Sequence, residues 1–200
     1  MKIEIRKPEY WITVRNAYFK DEKMQATEGV SSIKKVGVER SRAESTIYGS
    51  GLAYDMTSQT TSAQISLDAI ELPNEWVTRF LGRETKNGYI IESADDRLVE
   101  FSFGYTTEYS NGKRLFKWFP RCKMTEVSDE IETKSDDNVE PVRTFVIVAL
   151  PNEEGVISVQ YDQNSSDVKE ESMLKEEDFF SKVIKSASEI PAAGTSGATS

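Results

Sequence analysis

The sequence predicts a mainly β fold with one or two short α-helices, packed as a β-sandwich or barrel. Three observations carry that prediction. Ala63, Ile65, Leu67 and Ala69 recur at every second position with Gln64, Ser66 and Asp68 between them, the period of a half-buried strand. Val99, Phe101, Phe103 and Tyr105 repeat the alternation, and Asn111-Gly112 then marks a tight hairpin turn. Helical spacing occurs only in two short stripes: Trp76, Val77, Phe80 and Leu81, then Phe179, Phe180, Val183 and Ile184. Helices that short depend on tertiary packing, so they flank a sheet.

The remaining elements follow in order. Residues 10–19 mix aromatic and β-branched side chains, and Val36 and Val38 mark a strand over 33–39. Pro73 suits the first turn of a helix that Gly82 ends. Asn87-Gly88 is a turn into a strand at 89–92. The return strand after Asn111-Gly112 is expected to put Phe116, Trp118, Cys122 and Met124 on one aromatic, buried face, with Lys117, Arg121 and Lys123 facing away. Between 126 and 140 stand seven acidic residues and a single Lys134, a composition for a solvated loop or arm. The apolar run 144–150 reads as a central strand buried on both faces, with 156–161 as its hairpin neighbour across 151–155. A second helix starts near Ser172 or Lys175. One domain over 1–187, with a long polar loop near 41–61, precedes a disordered tail over 188–200 that is rich in Ala, Gly, Ser and Thr.

Composition narrows the function classes. Asp and Glu outnumber Lys and Arg 34 to 25, a net charge of −9 that argues against a phosphate-binding surface. There is no histidine and one cysteine. Histidine-dependent triads, His-containing zinc sites and a four-cysteine zinc site therefore fail on arithmetic. An internal disulfide is impossible. The first residues alternate charged and apolar with no apolar core, so no signal peptide is expected, nor a membrane span. A cytoplasmic site of synthesis follows.

Chemical motifs are sparse. Gly49-Ser50-Gly51 lacks the further glycines and the Lys-Ser/Thr of a phosphate loop, and reads as a loop or bulge. Asp95-Asp96 and Asp136-Asp137 are adjacent doublets whose side chains diverge on a strand, so solvated turns are expected rather than catalytic pairs. Asp136-Asp137-Asn138 with Glu140 lacks the calcium-loop glycine and spacing. Cys122 falls on an apolar face, where a thiol behaves as a small hydrophobe. Lys113-Arg114 and Arg121-Cys122-Lys123 form a basic zone separate from the acidic one, an arrangement that suits head-to-tail association.

Several blocks together resemble the major tail (tail-tube) proteins of long-tailed bacteriophages. They are Phe80-Leu81-Gly82, Asn87-Gly88, Asp95-Asp96, Val99-Glu100-Phe101-Ser102-Phe103, and Ser110-Asn111-Gly112-Lys113-Arg114-Leu115-Phe116-Lys117-Trp118-Phe119. That family has a Leu-Gly closing a short helix, a strand with an Ala-Gly-Phe form, and a hairpin turn before an aromatic pair. Phe103-Gly104-Tyr105 and Phe116-Lys117-Trp118-Phe119 fill those slots here, and Phe179-Phe180-Ser181-Lys182-Val183 resembles the family's closing Trp-Phe-x-x-Val. The likeness spans about 45–150. Pro120-Arg121-Cys122 departs from it, standing where Lys-Gly is usual, and Tyr54-Asp55 matches only loosely.

The resemblance implies a structural virion protein without catalysis or cofactors. Six copies would close into a ring, and rings would stack into a tube around a tape-measure protein, between tail initiator and terminator proteins. Double-stranded DNA would pass through as non-specific cargo, with no membrane contact, and assembly would take place in the host bacterial cytoplasm. Arg42, Glu44, Tyr48, Tyr54 and Asp55 in the 41–61 segment are candidate contacts between copies, with Arg114, Lys117 and Arg121 on the hairpin and Asp136 and Asp137 in the acidic segment. The 41–61 segment could also be a plain surface loop or a further hairpin. Two rivals stand beside this reading. One is a carbohydrate- or peptide-binding β-sandwich using exposed Tyr10, Trp11, Tyr105 or Tyr109; the other is a hydrolase built on two carboxylates.

Overall fold

The alternating stretches become strands of one antiparallel sheet. The computed structural model describes residues 9–49, 52–128, 142–170 and 173–190, and the side chains at 47–49 and 52–55 lie outside that description. The elements are β1 (Trp11–Lys20), β2 (Glu28–Val30), β3 (Ile33–Gly49), β4 (Leu52–Ala69), α1 (Asn74–Phe80), β5 (Glu84–Lys86), β6 (Tyr89–Ile91), β7 (Glu100–Tyr109), β8 (Arg114–Val127), β9 (Arg143–Ala149), β10 (Val159–Asp162) and α2 (Glu176–Phe180). The order across the eight-stranded sheet is β2-β1-β7-β8-β9-β4-β3, with β10 added to β8 off that path. β5 and β6 make a separate ribbon whose turn, Asn87-Gly88, has φ of 51° and 84°, as a tight hairpin turn requires. The sheet curls until β3 nears β1, but no ladder joins them and the sheet stays open. The expected mainly β fold with two short helices is therefore built on one curled sheet.

The main core fills the curl. Ile65 and Leu67 of β4, Phe103 of β7, Phe119 and Met124 of β8 and Ile147 of β9 are fully buried there. Helix α1 closes one end: Trp76, Val77 and Phe80 are buried, and Phe80 stacks on Phe101 at 4.1 Å between ring centroids. Gly82 ends α1 with φ 74°, and a Cβ there would collide with the Arg97 backbone. Asp21 ties the helix to the end of β1 through Arg79, 2.6 Å away. This is the α1 end of the sheet, where Val127, Arg143 and Ala69 also lie. The opposite, turn end carries Trp11 and the Asn111-Gly112 turn.

Strand β8 departs from the sequence reading. Phe103 pairs with Phe119, but Phe101 pairs with Cys122, so two steps along β7 match three along β8. The extra residue falls around Pro120, which cannot donate to a ladder and belongs at a bulge. The alternation reverses across it. Phe116 and Trp118 point to the outer layer, whereas Phe119, Cys122 and Met124 face the curl. The expected single buried face is thus corrected to two. Lys117 is corrected with it: it stands opposite Tyr105, over the Phe119 ring, on the side of the main core.

The outer layer is the second core: Phe116, Trp118, Phe179, Phe180 and Ile184, with Tyr18 and Tyr161 packed against it. Phe180 of α2 stacks on Tyr18 at 3.8 Å and lies against Gly104. Two further expectations change for the same reason. β9 is not buried on both faces: Phe145, Ile147 and Ala149 are fully buried, while Thr144, Val146 and Val148 are half-buried, because the outer layer does not extend over them. The 156–161 segment pairs with β8, from Val159↔Trp118 to Asp162↔Leu115, and not with β9. β8 thus has β7 along one edge, and β9 and then β10 along the other.

Gly104 marks how tightly the layers meet. A Cβ there would lie 2.6 Å from Phe180 and 2.8 Å from Trp118. Gly104→Ala is therefore expected to cost about 1–3 kcal/mol by forcing the outer layer apart. Urea denaturation of the variant, followed by tryptophan fluorescence, checks this.

Candidate functional site

The most exposed part of the sheet is the far half of the β3–β4 hairpin. β9 accompanies β4 only as far as Ala63. Beyond that, among the described residues, β3 and β4 pair only with each other, from Ser41↔Ser62 to Gly49↔Leu52. At ~3.3 Å per residue the paired arm reaches about 30 Å. The expected 41–61 loop is thus the hairpin alternative. Its residues 41–46 and 56–59 are exposed on both faces. Ladder irregularities fall between Ser41 and Arg42 and between Ile47 and Tyr48.

The structure distributes the candidate contact residues unevenly. Arg42 and Glu44 are exposed on the arm, across from Thr60 and Ser58. Tyr48 and Asp55 are each paired in the arm's backbone ladder, Tyr54 falls at the irregularity between them, and the side chains of all three lie outside the description, as do Asp136 and Asp137. Arg114 and Arg121 are engaged within the subunit. Arg114 donates to Glu176 at 2.8 Å and lies 3.6 Å from Glu108. Arg121 donates to Glu100 at 2.8 Å and to the Pro151 carbonyl. That partnership holds the Glu100 carboxyl below its ordinary range, chiefly through the Arg121 hydrogen bond.

Lys117 is different. It is 6% exposed, sits over the Phe119 ring at 5.4 Å, and has no carboxylate partner among the described residues. Burial first, and then the charge of Arg40, pull its pKa down to about 8. Tyr105, directly opposite, has its hydroxyl pushed up by burial, with Arg40 acting the other way.

Glu176, the first residue of α2, is a hub that sequence reasoning missed. Its carboxylate accepts hydrogen bonds from Tyr18 (2.6 Å), Asn16 (2.8 Å), Thr106 (2.9 Å) and Arg114 (2.8 Å). Burial alone would raise its pKa, but the hydrogen bonds from Tyr18, Asn16 and Thr106, with the charge of Arg114, hold it below the ordinary value. Glu176, Glu177 and Asp178 look alike in the sequence, and only the tertiary fold distinguishes the first of them.

The features of the rival readings are also located. Tyr10 and Trp11 are exposed, but Tyr105 and Tyr109 are buried, so half of the expected aromatic contact set is withdrawn from solvent. Asp95 and Asp96 border an open hollow of about 920 Å³ between α1 and the β5–β6 ribbon, where Asp96 accepts the Ser93 N–H and fixes a turn. Cys122 is fully buried, and burial pushes its thiol pKa up. Among the described residues no cluster of three or more metal-ligating side chains occurs, and no helix is long and apolar enough to cross a membrane.

The described residues define a mainly β subunit, a curled, open antiparallel sheet with a projecting hairpin. Residues 19–186 match the phage tail tube protein family, and the chain belongs to that family of structural tail components. No curated protein matches. Among solved structures, the tube-terminating cap of the anti-feeding prophage aligns with a TM-score of 0.47 and 11% identity, covering 81% of this chain and 96% of that one. The anti-feeding prophage baseplate aligns with a TM-score of 0.49 and 6% identity, covering 80% and 100%. At those scores the assignment rests on the family match.

The Glu176 hub predicts an acid response. A carboxyl held below its unfolded value of 4.5 contributes stability above that pH and loses it as pH falls through the folded value. The denaturation midpoint of the wild type should therefore fall more steeply below about pH 4.5 than that of Glu176→Gln. At pH 7 the variant should be about 2 kcal/mol less stable, because a charged acceptor of several hydrogen bonds is lost. Thermal melts across pH 2–7 read both.

Proposed function

We propose that the chain closes into hexameric rings that stack into the tail tube through which phage DNA is delivered. Tube growth proceeds around a tape-measure protein, between tail initiator and terminator proteins, in the host cytoplasm. The virion is the destination of the product. No catalytic step is required of it.

The observation that carries this reading is the arm. An isolated two-stranded hairpin is marginal in water, and the described side chains at 41–46 and 56–59 are exposed. The β3–β4 arm nevertheless continues for about 30 Å past its last neighbouring strand. Such a segment has a role if a neighbouring copy covers it. The sheet's edges support the same reading. β2 shields only Ala17 to Phe19 of β1, so among the described residues the Trp11 half of β1 keeps an uncovered edge, and β3 has one along its length. Unpaired edges invite strand addition, and lateral joining of copies removes that hazard. A ring is a heterologous interface that closes, and stacking is one that stays open and grows a filament. A net charge of −9 gives a wall to which DNA phosphates do not adhere.

Electron microscopy of concentrated protein, alone and co-expressed with the tail initiator, tests the proposal. Rings or tubes of uniform width are expected. Joining Ser41 to Ser62 through a two-residue turn should leave the thermal midpoint of the subunit within a few degrees while removing the tubes. A monomer under every condition would overturn the reading.

A further inference from the structure

Exposed apolar side chains scattered singly are ordinary, but contiguous groups of them mark binding surfaces. The described residues hold two such groups, one at each end of the subunit. At the α1 end stand Tyr89, Ile90 and Ile91, which make up the whole of β6. At the turn end stand Tyr10, Trp11 and Ile12, where β1 begins. All six side chains are about half to three-quarters exposed.

Both trios are held in place by their own subunit. The β5–β6 ribbon pairs over three residues a side, too few to be stable alone, so its base must fix it. There the Arg83 N–H donates to the Thr78 carbonyl, the Val99 N–H donates to the Phe80 carbonyl, and Arg83 pairs with Glu92 at 2.6 Å. Ile90 lines the hollow beside α1, and strand alternation sends Tyr89 and Ile91 to the other face of the ribbon. At the turn end, the Tyr10 carbonyl accepts the Ser110 N–H, and the Trp11 ring leans on Tyr109 at 6.2 Å between centroids. A tryptophan fixed in this way is an anchor with little freedom left to lose on binding.

Area decides what kind of partner the trios suit. At roughly 200–250 Å² for a large side chain, each trio leaves about 400 Å² in water. Mated with one another, the two would bury about 800 Å², short of the ~1,200 Å² of a stable pair. A single contact therefore does not hold two free subunits, whereas six contacts acting together hold two rings. The trios lie at opposite ends of the ten-residue strand β7, about 33 Å apart, so one copy cannot join its own two ends.

Resting on the tube reading above, we propose that Tyr10, Trp11 and Ile12 of one copy dock on the β5–β6 ribbon of a copy in the next ring. The contact joins two different surfaces, so it repeats in one direction and grows a filament. Because it is weak singly and strong six-fold, ring closure precedes stacking.

The test uses a turn-end variant, Trp11→Thr with Ile12→Thr, and a ribbon variant, Tyr89→Thr with Ile90→Thr and Ile91→Thr. Threonine keeps the strand preference and removes most of the apolar surface. Thermal melts of the free subunit and electron microscopy of protein assembled with the tail initiator are the two measurements. Both variants should melt within about 2 °C of the wild type, since the altered side chains are exposed. Both should form single rings, with mean tube length reduced at least ten-fold, and Trp11→Phe should keep its tubes. Rings of the two variants, mixed after they have closed, should form stacks of two and no longer, because each variant retains one intact end. Tubes of wild-type length from either variant would overturn the docking while leaving the tube reading intact. A larger drop in melting temperature would show that the trio packs within its own copy, and loss of rings along with tubes would place it in the ring contact; either result overturns the proposal. Mixed rings that stay single would show that the trios bind something other than each other, and would overturn it as well. A wild type that never polymerises would remove the tube reading and the docking together.

Discussion

Strand β8 has to serve two apolar layers at once, and the rest of the subunit is arranged around that demand. One of its edges runs along β7. The other is shared between β9, near the α1 end, and β10, near the turn end. A strand with uniform alternation would send all its large side chains to one face. The bulge at Pro120 reverses the alternation midway, so Phe116 and Trp118 build the outer layer while Phe119, Cys122 and Met124 build the inner one. A strand hydrogen-bonded on both edges and buried on both faces is rigid.

The outer layer has little area, so the Glu176 hub matters to it. α2 spans only Glu176–Phe180, too short to be stable alone. Phe179 and Phe180 supply apolar contact, and Glu176 adds four charge-assisted hydrogen bonds reaching β1, β7 and β8. The carboxylate is thus a clasp that joins the C-terminal helix to three strands. The inner layer is closed at the α1 end by the packing of Trp76, Val77 and Phe80 and by the buried Asp21–Arg79 pair. At its turn end it finishes in Lys117, Tyr105 and the nearby Arg40.

Much of the fold was legible because local chemistry and global packing agreed. Ala63, Ile65, Leu67 and Ala69 alternate and are all fully buried. Trp76, Val77, Phe80 and Gly82 describe a helix and its end, and both Asn-Gly pairs are turns. The unread parts are those in which a residue's role is set by a distant neighbour. The 41–46 and 57–62 stretches of the arm carry almost no apolar side chains, so period counting returns a loop there. The reversed faces of β8 turn on one inserted residue, for which Pro120 was the available signal. β9 and β10 look like a hairpin because they are consecutive, but the Asn152 turn, with Gly155 at φ 78°, leads the chain across to β8 instead. Of the candidate contacts, Arg114 and Arg121 resemble Lys117 in sequence, and only the structure shows that their charges are already met inside the subunit.

The central claim is that the β3–β4 arm exists to be covered by other copies. Amide hydrogen exchange reads this residue by residue. In the free subunit, backbone amides over 41–62 should exchange within seconds to minutes, as expected for a two-stranded ribbon with no core, while those of β7 and β8 stay protected. In assembled protein the same arm should become protected to a degree comparable with the body of the sheet. Arm amides that exchange equally fast before and after assembly, or that are fully protected in the free subunit, would contradict the account.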